Sequence, residues 1–311
     1  MKATRLAPGA LIRLALVALA LLALARHAAA QDIEPRTYSN APVGVNFLIA
    51  GYAYTRGALQ FDTALDLTDA HLRTSNAVLA YARVFDLAGS AATIDVIAPY
   101  TWLSGSAVFQ GDPLERTVGG FANPAVRLTW NFYGAPALGL REFRTWQQDV
   151  VVGTSLRVSA PWSQYDETRL VNIGTNRWSF KPEVGISKTT GPWTLELSAA
   201  ATFFTVNDDF FNGLRREQAP LYSTQAHVIR GFAGGSWLSL DATYFAGGRT
   251  TLNGVLNADL QQNWRAGATF AIPVDRLNSI KLYASSGLSD RTGNSFDLAG
   301  IAWQHRWGGG L

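Results

Sequence analysis

Along most of the chain, apolar and polar residues take turns. In "NPAVRLTWNFYG", residues 123–134, Val126, Leu128, Trp130 and Phe132 hold one parity while Arg127, Thr129 and Asn131 hold the other. Successive side chains of a strand point to opposite faces, so the segment predicts a strand with one dry and one wet face. "TIDVIAPYTW" repeats the pattern, with Ile94, Val96, Ala98, Tyr100 and Trp102 against Thr93, Asp95 and Thr101. So do "QDVVVGTSLRVSA", "RWSFKPEVGIS", "WTLELSAAATF", "LYSTQAHVIRGF", "WLSLDATYF", "NWRAGATFAI", "IKLYASSGL" and "FDLAGIAWQHRW". Two earlier stretches, "VNFLIAGYAY" and "NAVLAYARVF", are apolar on both parities and bring the set to twelve.

The connections alternate. Residues 57–71, 104–123, 161–176, 207–219, 247–262 and 289–295 form one series; Gly89–Ser90, 134–145, "TTGP", "GGS" and "PVDRLNS" form the other. Up-and-down outer-membrane barrels show this asymmetry, with short periplasmic turns, longer outer loops and an even strand count that leaves both chain ends in the periplasm. A β-sandwich predicts Greek-key crossings instead. Ten residues at about 3.4 Å each, tilted by ~40°, rise roughly 25 Å, the height of the apolar band of such barrels. A membrane-spanning sheet must also close, because lipid offers no partner for an unpaired backbone group. The expected fold is therefore all-β: a transmembrane antiparallel up-and-down β-barrel of about 12 strands. All ten tryptophans lie at or near a proposed strand end, Trp102, Trp146, Trp162, Trp178, Trp193 and Trp264 among them, as rings at the headgroup level do. The closing "GIAWQHRWGGGL" puts Ile301, Trp303, Trp307 and Leu311 on one parity, an ending suited to outer-membrane assembly machinery.

The first thirty residues read differently. Lys2, Arg5 and Arg13 lead into the apolar "LALVALALLALA", and Ala28 to Ala30 offer a small-residue cleavage site before Gln31. The expectation is a cleaved signal peptide over 1–30 and a single barrel over 31–311. This changes the charge: Lys2, Arg5, Arg13 and Arg26 fall in the leader, and subtracting those four from 26 basic residues leaves 22 against 23 acids. A nucleic-acid partner is not indicated. The absence of cysteine excludes a disulfide framework and a lipidated N-terminal cysteine.

On the wet parity stand Asp95, Arg127, Asp149, Arg157, Lys181, Glu183, Glu196, Asp241, Arg265 and Lys281, with His227 as a further polar group. Opposed charges of equal number suit a hydrated channel without strong preference for ion sign. They equally suit ion pairs that fill a narrow lumen. Tyr52, Tyr54 and Tyr283 are expected to add a modest inward aromatic lining. Arg83 does not fit: it shares the lipid-facing parity of Leu79, Tyr81, Phe85 and Leu87, so either a bulge shifts the register or the second strand is out of phase. His305 has a milder version of the problem near the periplasmic rim.

Catalytic chemistry finds little support. His71, His227 and His305 have no metal-ligand spacing, and neither GxSxG nor HExxH occurs. No catalytic residue, metal or cofactor is expected; a wall-mounted hydrolase site around His305 is the weakest of the readings.

"EPRTYSNAPVGVNFLIAGYAYTRG" resembles the opening of the outer-membrane family named for the MetA pathway of phenol degradation. The likeness continues through "ANPAVRLTWNFYGAPAL" to "WQHRWGGGL". The resemblance implies a barrel in the outer membrane of a Gram-negative bacterium, a channel for aromatic or other small organic compounds, and no catalytic motif. Fatty-acid and hydrocarbon uptake barrels, a more distant comparison, plug the lumen with an N-terminal hatch of a few dozen residues, whereas only Gln31 to Pro42 precede the first strand here. The expected partners are outer-membrane lipid, the assembly machinery and small organic solutes. The alternative is a closed structural or adhesive barrel that acts through its outer loops.

Overall fold

The computed structural model describes residues 34–58, 67–109, 111–289 and 295–311; the expected leader, residues 1–30, lies outside them. The barrel strands are β1 (Val45–Ala58), β2 (Leu67–Leu87), β3 (Ser90–Phe109), β5 (Ala125–Tyr133), β6 (Val150–Ser159), β7 (Ser179–Thr190) and β8 (Trp193–Phe204). They continue with β11 (Leu221–Gly231), β12 (Trp237–Gly247), β15 (Gln261–Pro273), β16 (Asn278–Ser289) and β17 (Ser295–Gly308). Each pairs antiparallel with its barrel neighbours in chain order, and β17 closes on β1 from Val45↔Gly308 to Ala58↔Ser295. The result is a closed 12-strand barrel. Every predicted strand is present.

The outer loops hold more structure than expected. β4 (Asp112–Phe121) pairs with the outer half of β3 while β5 pairs with its inner half, so the β3–β4 hairpin rises above the barrel. β9 (Asn207–Phe210), β10 (Leu214–Gln218), β13 (Thr250–Leu252) and β14 (Val255–Leu256) form a separate four-stranded sheet over the same end. Phe210 and Ala107 are buried where that sheet meets the hairpin, packed by Phe109, Leu170 and Leu214. At the opposite end, the β5–β6 connection carries a short helix, α1 (Leu140–Phe143).

Burial separates the two faces. Leu195 and Leu240 are each 55% exposed on the outside, whereas Ser187 and Ser239 on the inside are fully buried. In water this would be inverted; with hydrocarbon as the outer solvent, apolar groups face out and polar groups must find partners within. Val126, Leu128 and Phe132 face out and Thr129 and Asn131 face in, as their parity requires.

Arg83 keeps its outward parity, with Ala82 and Val84 buried on the inner face and an unbroken β2–β3 register from His71↔Ser106 to Leu87↔Ser90. It is neither bulged nor out of phase. Its partner on β1 is Asn46, which on its other side pairs with Trp307, so Arg83 is level with the aromatic belt of the short-turn end. Its long stem lets the charge reach the headgroups. Tyr52 and Tyr54 correct the expected lining: both are exposed on the outer face, and Tyr52 donates to Ser75 Oγ. "VNFLIAGYAY" is apolar on both parities, and Gly51 and Ala53, not the tyrosines, take the inside. Tyr283 does point inward, against Gly300. Trp237 also leaves the belt, because its ring lies under the Arg36 guanidinium inside the lumen.

Candidate functional site

The lumen is occupied at its short-turn end by the residues that precede β1. Arg127 binds the Glu34 carboxylate. The Arg36 amide donates to Glu196 Oε2 at 2.7 Å, and the Tyr38 hydroxyl donates to Glu183 Oε1 at 2.9 Å. Asn40 donates through Nδ2 to the Pro136 carbonyl at 3.1 Å and through its amide to Gln148 Oε1 at 3.3 Å. Arg36 turns the chain at φ +71°, and the Arg36 guanidinium sits 5.3 Å from the Trp237 ring centre. None of these contacts is a strand ladder; side chains hold the segment.

Tyr38 is the centre of the stopper, only 2% exposed. Its seat is the cross-strand pair Gly153↔Gly185 on β6 and β7. A Cβ at Gly185 would lie 2.1 Å from the ring and one at Gly153 2.6 Å, so glycine is required at both. An aromatic laid over a strand glycine replaces the packing that the missing side chain cannot give. Burial, and then the Glu183 carboxylate beside it, push the phenol well above its ordinary pKa and keep it a donor.

Around the stopper, one cross-strand row runs Ser187, Glu196, His227, Asp241 over β7, β8, β11 and β12. Gln148 donates to Ser187, Ser187 donates to Glu196 Oε1 at 3.0 Å, and His227 Nδ1 meets Asp241 Oδ1 at 2.7 Å. Ser239 and Thr269 also donate to Asp241. Ser239 thus gives its proton to the carboxylate and not to the imidazole, which is not the order that activates a serine nucleophile. Arg127 bonds Asp95 at 2.7 Å, Lys181 pairs with Glu183 at 3.4 Å, and Arg157 adds a positive charge near Asp95. Lys281 lies near Arg36, Arg127 and Asp241. Five acids (Glu34, Asp95, Glu183, Glu196, Asp241) thus meet five bases (Arg36, Arg127, Arg157, Lys181, Lys281) in the inner half. The polar cavity left between segment and wall measures ≈ 20 Å³, room for water and nothing larger.

Two members of the expected set lie elsewhere. Asp149 precedes β6 at the rim, 77% exposed, and pairs with Lys188, whose neighbours Ile186 and Val184 face lipid. It stands one residue before the strand begins, where the alternation of β6 no longer fixes its side. Arg265 is buried in the outer half, bonded to Ser285 and 5.4 Å from the Phe296 ring centre. Conversely, Glu34, Arg36 and Tyr38 join the site without any signal in the period-two pattern. The available hint was the pair of inward glycines, a gap in the wall that something must fill. His305 stacks between Trp303 and Trp307 and meets Asn278 Oδ1 at 3.0 Å. Among the described residues, no group of three or more His, Cys, Asp or Glu could hold a metal ion.

The barrel is similar to the COG4313 outer membrane channel from Pseudomonas putida F1 (TM-score 0.73, 17% identity, 89% of this chain and 100% of that one). It is less similar to the transport unit of the autotransporter AIDA-I from Escherichia coli (TM-score 0.50, 11% identity, 89% and 93%). The beta domain of the Bordetella autotransporter BrkA stands at the same level (TM-score 0.50, 10% identity, 85% and 100%). At these identities the likeness establishes the fold. A search of curated proteins found no match. The family described as "Putative MetA-pathway of phenol degradation" matches residues 50–304. With most of its length matched, from within β1 to within β17, the chain is an outer-membrane β-barrel and a member of that phenol-degradation family.

Proposed function

We propose that this protein is an outer-membrane channel for small organic solutes, aromatic ones included, and that its N-terminal segment stoppers the lumen. One observation carries the reading: the segment is held by side-chain hydrogen bonds and ion pairs in a polar, charge-balanced wall, with no ladder to fix it in place. A residue that only filled the barrel for stability would more economically be apolar. The family's description and the likeness to the P. putida outer membrane channel support the same direction. Asp95, Arg127, Arg157, Lys181, Glu183, Glu196, His227, Asp241, Arg265 and Lys281 then form the wall of the open path. Residues 1–30 serve as the export leader, the assembly machinery inserts the barrel, and outer-membrane lipid is its solvent.

The test is swelling of liposomes that carry the protein in isotonic small organic solutes. Removal of residues 34–41 is expected to speed swelling severalfold over the full-length barrel. A second reading, a closed barrel that acts through its outer loops, draws on the stopper in the lumen and on the ordered four-stranded sheet among the outer loops. Equal impermeability of the full-length and shortened proteins would favour it.

A further inference from the structure

On the lipid-facing side of the barrel, β1 and β2 each carry one arginine toward the long-loop end. Arg56 and Arg73 stand directly opposite each other in the strand register, and both are exposed. Their neighbours Thr55 and Thr74 are buried inside and bonded to each other, so the two arginines belong to the outer face. Height follows from the same register. Arg73 precedes Arg83 by ten residues on β2, with the pairing to β1 unbroken between them. Ten residues at about 3.4 Å each, tilted by ~40°, rise roughly 25 Å, the full apolar band. Arg83 is level with the belt of the short-turn end, so Arg56 and Arg73 reach the opposite headgroup level. Between the two levels, the outward parity of β1 is Leu48, Ala50, Tyr52 and Tyr54.

Elsewhere around the outer rim the wall carries rings, with Trp162 against Trp178 and Tyr244 against Trp264. Here Tyr54 and Trp102 flank Ser75 one step inward, and the arginines stand above them. Their row runs Asp297, Arg56, Arg73, Ser104 over β17, β1, β2 and β3. Asp297 accepts from Ser286 Oγ at 3.2 Å. Among the described residues, neither guanidinium forms an ion pair or a hydrogen bond. One acid therefore shares the row with two bases, and like charges directly opposite each other weaken a strand pair. An anion that bridges them removes that repulsion, and the planar guanidinium fork matches phosphate oxygens two at a time. We infer that Arg56 and Arg73 form a binding site for the phosphate of an outer-leaflet lipid, the diphosphorylated lipid A of lipopolysaccharide. Its acyl chains lie along Tyr52, Tyr54 and Leu79, all exposed on the same face. A free phosphate meets the same two charges but gains nothing from those apolar neighbours. The site is on the outside of the barrel and is independent of whether the lumen conducts.

The experiment follows lipid binding to the full-length barrel in detergent by native mass spectrometry, with diphosphoryl lipid A as probe. Saturable binding is expected. Arg56→Gln and Arg73→Gln combined in one chain should weaken it about tenfold or more, since two charge-assisted contacts are lost. Arg83→Gln, at the other headgroup level, should leave it unchanged. Asp297→Asn, which removes the acid from the row, should strengthen it severalfold. Both arginines are exposed, so the double variant is expected to keep the heat-modifiable gel mobility of a folded barrel; should it lose that mobility, Asp297→Asn and Arg83→Gln decide. Lipid A that binds the folded double variant as well as the parent, or that depends on Arg83 and not on Asp297, would overturn the site. So would displacement of lipid A from the parent by millimolar inorganic phosphate, which would assign the pair to free anions, or equal binding of lipid A stripped of its phosphates.

Discussion

The two ends of the barrel are built by different physics. Inside, a single extended segment is held by Glu34, Arg36, Tyr38 and Asn40 through polar contacts to a balanced wall. Outside, β9, β10, β13 and β14 make their own hydrogen-bonded sheet, and Phe210 anchors it with Phe109, Leu170 and Leu214 on an apolar cluster. A sheet with a hydrophobic centre opens as a unit and at high cost. A segment held by side chains can leave one bond at a time, with each wall group returned to water as it goes. In the proposed channel the inner closure is therefore the one suited to act as a gate, and the outer sheet to act as a fixed rim.

The largest effect that would break this contrast is on the cap. Phe210→Ala is expected to destabilise the outer sheet by ~3–5 kcal/mol, the usual cost of emptying a buried phenyl site. Hydrogen exchange of amides 207–218 should then accelerate while amides 36–40 keep their protection; equal acceleration of both would mean that the two regions open as one. Next, Tyr38→Phe removes the donor to Glu183 and is expected to loosen the segment by ~1.5–3 kcal/mol, the range for a hydrogen bond to a charged group. The readout is faster exchange at residues 36–40 with an unchanged cap. Ser187→Ala, one bond removed from the segment through Glu196, should cost ~0.5–1.5 kcal/mol in the same assay. The smallest effect belongs to the turn after β15. There Asp275 accepts from the Asn278 side chain and from the amides of Leu277 and Asn278, which hold its carboxyl below the usual range. A depressed folded pKa gives stability that is complete above the ordinary carboxylate value and lost as pH falls through the lower one. Exchange at Leu277 and Asn278 should rise only on that acid side, and Asp275→Asn should remove the dependence.

The same contrast explains what the sequence reveals. Twelve strands are legible because membrane and lumen impose opposite demands on alternate residues, and that demand leaves a period-two record. The record thins where both faces are apolar, as in β1, which is how Tyr52 and Tyr54 come to be assigned to the wrong side. It overshoots at strand ends, where Asp149 continues the parity of β6 into exposed turn. The stopper leaves no such record. Arg127, Glu183 and Glu196 are legible as inward charges, but their partners Glu34, Tyr38 and Arg36 lie 93, 145 and 160 residues away in an aperiodic segment. A partner chosen by a three-dimensional gap cannot be read from spacing. The facing glycines Gly153 and Gly185 are the trace that survives, and they show where the gap lies without showing what fills it. The outer arginines are similar: Arg216 belongs to a stretch that reads as a loop, Arg177 opens the strand stretch "RWSFKPEVGIS", and only the fold brings them to Gln218.

Single-channel conductance in a planar bilayer, compared between the full-length barrel and one lacking residues 34–41, tests the gate most directly. The expected result is a quiet or rarely opening full-length protein and a steadily conducting shortened one. Indistinguishable traces from the two would contradict it.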